Sequence, residues 1–324
     1  MSRQRIGVKG FADMLVEGIS PQTVLDEIDK LIDFSIFADA FEVSSSSASQ
    51  GGRPAYPPLM MFKILLIQTL YNLSDEKIEE ALADRLSFKR FCGFAVEDIT
   101  PDKTTIGRFR NTLQGLEENF LDMVNEQLDQ HGMRVRKGTL VDASIVKSNT
   151  KDPKGGEVSD RDPEAGWTKK GGQYHHGYKA HVSMDKDSGL INKAKVTSAD
   201  VHDSQALLEC LDEDDEEVYA DKAYDKEGDR KTLRKNQIKP RLMRRTYQSD
   251  TDLRKVRKAN LNKAIGKIRG AVEKFFGTTK RSYGMRQARY LGTIKNELHI
   301  RLMAVVYNLV RAVNITKGLN LQPT

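Results

Sequence analysis

Cysteine is nearly missing from this chain of 324 residues. Cys92 and Cys210 stand far apart with no CxxC or CxxH company, which excludes a disulfide framework and a zinc ribbon and fits a reducing cytoplasm. Proline is scarce at nine and glycine modest at 24, so collagen-like and mucin-like chains are excluded. With 38% hydrophobic residues, the chain is not wholly disordered either. No apolar run approaches the roughly 20 residues of a membrane span. The longest lie at 59–70 and 302–310, and Lys63 interrupts the first. Residues 1–18 lack the apolar block of a signal peptide, because charges there alternate with single apolar residues. What remains is a soluble globular protein of about two domains, at roughly 150 residues each.

The net charge of +6 hides an asymmetry. Residues 231–324 hold 23 Lys and Arg against four acids (Asp250, Asp252, Glu273 and Glu297), a balance of +19, so residues 1–230 carry −13. So basic a segment, with RLMRR at 241–245 and RKVRK at 254–258, attracts a polyanion, most commonly nucleic acid. A solvated charged face is the plainer alternative.

Apolar residues at helical spacing over 13–41 (Leu15, Ile19, Val24, Leu25, Ile28, Leu31 and Ile32) predict helix, and the Ser- and Gly-rich run at 44–55 reads as a linker. Residues 59–71 are apolar almost all round, which suggests a buried helix. A second helix starts at a Ser74 cap, with Asp75 and Glu76 in its first turn and Ile78, Leu82 and Leu86 as its stripe. A cap at Thr104 or Thr105 opens a helix running to about 130. The first 130 residues are therefore expected to be helical, with a helix-turn-helix-like unit that serves DNA binding or simply packing and dimerisation.

From 138 the period changes to two. Leu140, Asp142 and Ser144 alternate with Val141, Ala143 and Ile145 in a strand. The polar stretch 149–176 reads as a long flexible loop. Strands at 178–184 and 190–198 flank the turn DKDSG, a helix capped at Asp203 or Ser204 covers 205–211, and a strand spans 218–220. A helix end, an edge strand at Pro240 and long helices over 261–283 and 297–314 complete a mixed α/β pattern.

Three acids sit against the local grain. Asp142 lies inside an apolar strand, Asp221 ends the strand 218–220, and Glu273 is the one acid between Asp252 and Glu297. A strand carboxylate is costly to bury unless paired or metal-bound. At about 100° per residue, Arg269, Glu273 and Lys280 share a helix stripe, next to a packing stripe of Ile265, Ile268, Val272 and Phe276. Carboxylates without a His or Cys cluster suit a hard divalent ion, and two such ions roughly 3.5–4 Å apart serve phosphoryl transfer. The alternatives are buried hydrogen bonds for the strand acids and an i−4 bridge from Glu273 to Arg269.

Residues 139–147 (TLVDASIVK), 177–189 (GYKAHVSMDKDSG), 197–204 (TSADVHDS), 219–225 (YADKAYD) and 268–292 (IRGAVEKFFGTTKRSYGMRQARYLG) resemble, in order, the DDE transposases of bacterial insertion sequences. The nearest pattern is that of the insertion-sequence-five group. Its helical N-terminal domain is similar to GRPAYPPLMMFKILLIQTLYNLSDEKIEEAL and PDKTTIGRFRNTL, so the resemblance runs from about residue 52 to 311.

The resemblance implies an α/β fold: an RNase H-like mixed sheet flanked by helices (131–324, with a basic helical part at 244–316), preceded by an all-helical N-terminal domain (1–130). It puts the catalytic, metal-holding triad on Asp142, Asp221 and Glu273, with two Mg²⁺ ions that Mn²⁺ can replace. Related transposases carry Tyr, two residues, Arg, three, Glu, six, Lys. Arg269, Glu273 and Lys280 keep that spacing, while Gly266 stands at the Tyr position. Arg269, Lys280, Arg244, Arg245 and Lys222 then fall to DNA binding. The implied activity is binding of terminal inverted repeats, cleavage and strand transfer. Double-stranded DNA (element ends and target) and a second copy of the chain are the expected partners, with no membrane and a place in the cytoplasm at the nucleoid. An RNase H-like endonuclease that never joins ends, or an inactive DNA-binding relative, are the other readings.

Other residues carry plainer readings. His175, His176 and His181 lack a fourth ligand for zinc. Trp167 can stack on an unpaired base or dock on the core, and His202 beside Asp203 suits a helix cap.

Overall fold

The computed structural model describes residues 6–17, 22–42, 55–115, 117–134 and 138–318. Nearly all of the Ser- and Gly-rich run expected as a linker lies outside them. Eight helices come first: α1 (Phe11–Glu17), α2 (Val24–Leu31), α3 (Phe37–Glu42), α4 (Pro58–Leu70), α5 (Asp75–Asp84), α6 (Leu86–Cys92), α7 (Lys103–Thr112) and α8 (Glu117–Gln130). There follow β1 (Thr139–Lys147), β2 (Gly166–Lys170), β3 (Gln173–Asp185), β4 (Ile191–Ser198), β5 (Glu217–Ala220), α9 (Glu227–Lys235), β6 (Lys239–Leu242), α10 (Asp252–Ser282) and α11 (Thr293–Thr316).

Local chemistry explains most boundaries. Ser74 caps α5 by accepting from the Lys77 amide, and Asp75 and Glu76 sit where the helix dipole favours them. The helix expected from Thr104 is capped instead by Asp102, whose carboxylate accepts from the Thr105 amide at 2.7 Å. It ends at Thr112, and α8 is a separate helix. The segment expected as a helix over 205–211 is two short 3-10 turns, the first capped by His202. The segment 149–176, expected as a loop, carries β2 and the start of β3.

The sheet runs β2-β3-β1-β5-β6, with β4 on the same edge of β3 as β2. β1 is antiparallel to β3, while β1, β5 and β6 are parallel. This mixed order, three antiparallel strands continued by two parallel ones, is the RNase H-like arrangement. Leu140 faces one core layer and Val141 the other, as their alternation requires. Pro240 sits in the edge strand β6, where a missing amide hydrogen is tolerated.

The helical N-terminal part and the sheet share one hydrophobic core. α11 joins them by packing on β4, α8, α4 and α2. It is long and apolar enough to cross a membrane, yet most of it is buried as a core helix. Its central polar residue is Asn308, fully buried. The Asn308 Oδ1 accepts from the Ile191 amide at 2.7 Å, and its Nδ2 donates to the Ile191 carbonyl at 2.8 Å and to Asn125 Oδ1 at 2.9 Å. One side chain thus ties α11, β4 and α8.

Asn308→Ala strands a buried amide and should cost about 2–3 kcal/mol, read as a lower urea midpoint at unchanged slope. His181 and His299 give a pH prediction. Burial, the first cause in each, lowers His181 to about 4 and His299 to about 3, from a usual value near 6.5. The unfolded chain takes up these protons near pH 6.5 while the folded chain resists, so stability is full above that pH and declines as pH falls toward 4. Urea midpoints at pH 7 and pH 5 should differ in that direction, and equal midpoints contradict it.

Candidate active site

The register of the sheet brings two of the expected carboxylates together. Thr139 faces Val218 and Leu140 faces Tyr219 on the parallel strand, so continuing two residues sets Asp142 beside Asp221. Adjacent strands lie about 4.8 Å apart. Asp221 caps the 3-10 turn after β5, and its Oδ1 accepts from the Ala223 amide at 2.7 Å.

The Asp142 carboxyl is mostly buried, and this desolvation pushes its pKa up. The Asp221 charge adds to the rise, while Arg269 and Lys170 oppose it. Arg269 Nη2 lies 2.9 Å from Asp142 Oδ1, with the Arg269 side chain only 9% exposed. Arg269 therefore bridges to the strand rather than to Glu273 on its own helix. The Arg269 Nε has no hydrogen-bond partner among the described residues, so this cation is only partly satisfied.

Glu273 is exposed on α10, one turn beyond Arg269, and makes no hydrogen bond or ion pair among the described residues. It does not join the other two acids. Among the described residues no group of three or more His, Cys, Asp or Glu side chains is gathered closely enough to hold a metal ion. The paired carboxylates Asp142 and Asp221 suit a hard, oxygen-preferring cation, with Arg269 supplying the countercharge in this arrangement.

Of the residues expected at DNA, Lys280 is near enough for the Asp142 charge to act on it, without forming an ion pair with it among the described residues. Burial lowers its pKa first, and Lys170 and Arg286 lower it further. Lys222, Arg244 and Arg245 collect separately, past the carboxyl ends of β5 and β6. Arg245 Nε donates to the Lys222 carbonyl at 3.0 Å, and Arg244 and Arg245 line a cleft of about 420 Å³ with Arg257, Lys258 and Tyr247. Arg269 is turned inward to Asp142 instead of outward.

Two residues at the site were missed in the sequence. Lys170 belongs to the KKGGQ turn, whose paired glycines are a hairpin signal inside what reads as a loop. Tyr224 follows Asp221 by three residues and is 1% exposed, its hydroxyl without a partner among the described residues. Asp203, Asp142 and Asp221 all act on it after burial in raising its pKa. Trp167 docks, with Nε1 donating to the Glu157 carbonyl at 3.1 Å and its ring 5.1 Å from that of His176. His181 Nε2 meets Thr197 Oγ1 at 2.9 Å, and His176 Nε2 meets the Ala165 carbonyl at 3.1 Å.

Adjacent carboxylates, one inside β1 and one just past the end of the parallel strand β5, crossed by a basic helix, define an RNase H-like nucleic-acid enzyme core. Residues 14–112 match the family described as Transposase domain (DUF772), and residues 134–309 match the Transposase DDE domain. The second match alone covers more than half of the chain, which therefore belongs to the DDE transposase family of bacterial insertion sequences, enzymes that cleave DNA and transfer strands. Such enzymes use divalent metal ions. Among solved structures, the chain is similar to the piggyBac transposase synaptic complex with hairpin DNA at 10% identity and a TM-score of 0.47, over 93% of this chain and 74% of that one. It is also similar to the Mos1 paired-end complex with left transposon end, at 9% identity and a TM-score of 0.21, over 88% and 95%. These likenesses are remote, and the family match carries the assignment.

Arg269→Met should raise the Asp142 pKa further, since it removes the main opposing charge. A pH titration of the Asp142 side-chain carbon by NMR checks this, and an unchanged midpoint would show that the guanidinium is idle.

Proposed function

We propose that this transposase belongs to the insertion-sequence-five group, binds the terminal inverted repeats of its element, cuts at their ends and joins the freed 3′-hydroxyl to target DNA. The observation that supports it most is the pairing of Asp142, inside β1, with Asp221, just past the end of the parallel strand β5, in a chain whose C-terminal segment is strongly basic. Asp142, Asp221 and Glu273 would hold two Mg²⁺ ions, replaceable by Mn²⁺, which activate the attacking oxygen and stabilise the leaving one. The role of Glu273 rests on its place one turn past Arg269 and on its lack of a partner among the described residues.

Arg269 is the countercharge of Asp142 in the protein without DNA and, on this reading, exchanges that carboxylate for a backbone phosphate. Lys280 holds the same strand, and Lys222, Arg244 and Arg245 continue the path, lending affinity more than sequence choice. The unit of action is a dimer on DNA, since one element has two ends. The helices of residues 1–130 supply DNA contacts, dimer contacts or both, and residues 131–324 supply catalysis, in the cytoplasm at the nucleoid.

The test is Mg²⁺-dependent cleavage and joining on a labelled duplex carrying a flanked element end. The wild type should cut and join, while Asp142→Asn and Glu273→Gln should bind the duplex and lose cleavage by at least about 100-fold. Cleavage without joining makes the protein a plain nuclease. Full activity in Glu273→Gln removes that residue from the triad.

A further inference from the structure

Strand β3 outruns its neighbour. Its ladder with β1 ends where Gly177 faces Lys147, and its ladder with β4 starts at Tyr178. Beyond the His176 carbonyl, which still accepts from the Ser148 amide at 3.0 Å, residues 173–175 pair only with β2, and the hairpin tip stands clear of the rest of the sheet. Two glycines sit at the point of departure. A Cβ on Gly177, whose φ is +151°, would lie 2.3 Å from the Val146 carbonyl oxygen. One on Gly166 would lie 2.3 Å from Ser198 Oγ. Only bare backbone passes so close.

The root of this hairpin is braced. Besides the contacts of Trp167 and His176, the fully buried Asp162 accepts from Ser148 Oγ at 2.6 Å, from the Gly292 amide at 3.1 Å and from the Tyr178 hydroxyl. The tip is exposed from Lys169 to Tyr174. Gly171 and Gly172 have φ of +58° and +83°, as a two-residue type I′ turn needs, and a Cβ on either would meet nothing within 4 Å. Lys169 Nζ lies 5.0 Å from the ring centre of its cross-strand partner Tyr174, which is 67% exposed. The same strand β3 carries Val182 opposite Asp142 on β1, so the hairpin extends the strand that flanks the carboxylates, and the Lys170 charge acts on both Asp142 and Lys280.

A braced root, a tip without side chains and two flanking cations suit a slot narrower than a helix. The minor groove of B-DNA is about 6 Å wide against about 12 Å for the major groove, and it concentrates negative potential where it narrows. We propose that the β2–β3 hairpin inserts Gly171 and Gly172 into the minor groove beside the scissile phosphate, with Lys169 and Lys170 on the flanking phosphates and Tyr174 along the sugar edge. The location rests on Asp142 and Asp221 being the reacting site.

Both native cysteines are buried, so Gln173→Cys supplies an accessible thiol at the tip. The probe is a duplex carrying the element end, with a disulfide-activated arm near the cleavage position on guanine N2, in the minor groove, or on thymine C5, in the major groove. Capture by the minor-groove arm is expected. Capture by the major-groove arm alone, or by neither while the complex still forms, overturns the proposal. Lys169→Ala with Lys170→Ala should lower the slope of log affinity against log salt by about two, one for each phosphate that a lysine no longer neutralises, and an unchanged slope also overturns it. Cross-linking requires no cleavage. A failed catalytic assignment therefore shows separately, as cleavage retained in Asp142→Asn.

Discussion

Parallel pairing of β1 with β5 is the constraint on which the site depends. It fixes Leu140 opposite Tyr219 and so brings Asp142 and Asp221, 79 positions apart in the chain, onto neighbouring strands. Burial strips solvation from Asp142, and the neighbouring Asp221 charge adds repulsion, so its carboxyl is held above the usual range. The fold answers with one helix. α10 crosses the sheet with Ile265, Val272, Phe275 and Phe276 buried, and that packing delivers the Arg269 guanidinium to Asp142. Truncating either partner would leave a buried charge alone, so the pair is held by the cost of separating it within the protein. A stronger anion or cation arriving from outside changes that balance.

The charge asymmetry takes spatial form around this pair. The bases form two groups: Lys222 after β5 with Arg244 and Arg245 after β6, and apart from them Lys280 on α10, on which the Asp142 charge acts. Several acids of the first 230 residues are spent on structure. Asp26 and Asp75 pair with Arg90 and Arg110 among the N-terminal helices, and Asp162 ties Ser148 and Tyr178 to the start of α11. Acids thus secure the frame, while Asp225 and Glu227 also line the cleft of Arg244 and Arg245.

Much of this is legible in the sequence where local rules decide. The Ser74 cap, the all-round apolar helix α4, the alternation in β1, the hairpin of β3 and β4, and Pro240 in an edge strand each follow from neighbours in sequence. The family motifs mark the acids. What stays hidden depends on distant partners. α10 begins at Asp252 rather than near 261 because its first turns are basic and solvated, with Leu253, Val256 and Leu261 exposed and no buried stripe to give a period. The β2–β3 hairpin is polar on both faces, so its sequence reads as loop. Helical spacing suggests Glu273 as the partner of Arg269, but burial favours the carboxylate across the gap, where solvent screens least.

The position of α11 has a consequence for how the chain comes to exist. The helix that joins the N-terminal helices to the sheet is made long after them, and its Asn308 meets Asn125 across 183 residues of sequence. Contacts of such separation close late, because the loop entropy must be met before they contribute. On the ribosome, α2, α4 and α8 therefore wait with an apolar face unfilled until α11 emerges. A chain cut short before residue 293 would hold every candidate carboxylate and most of the bases, yet no completed core to aim them.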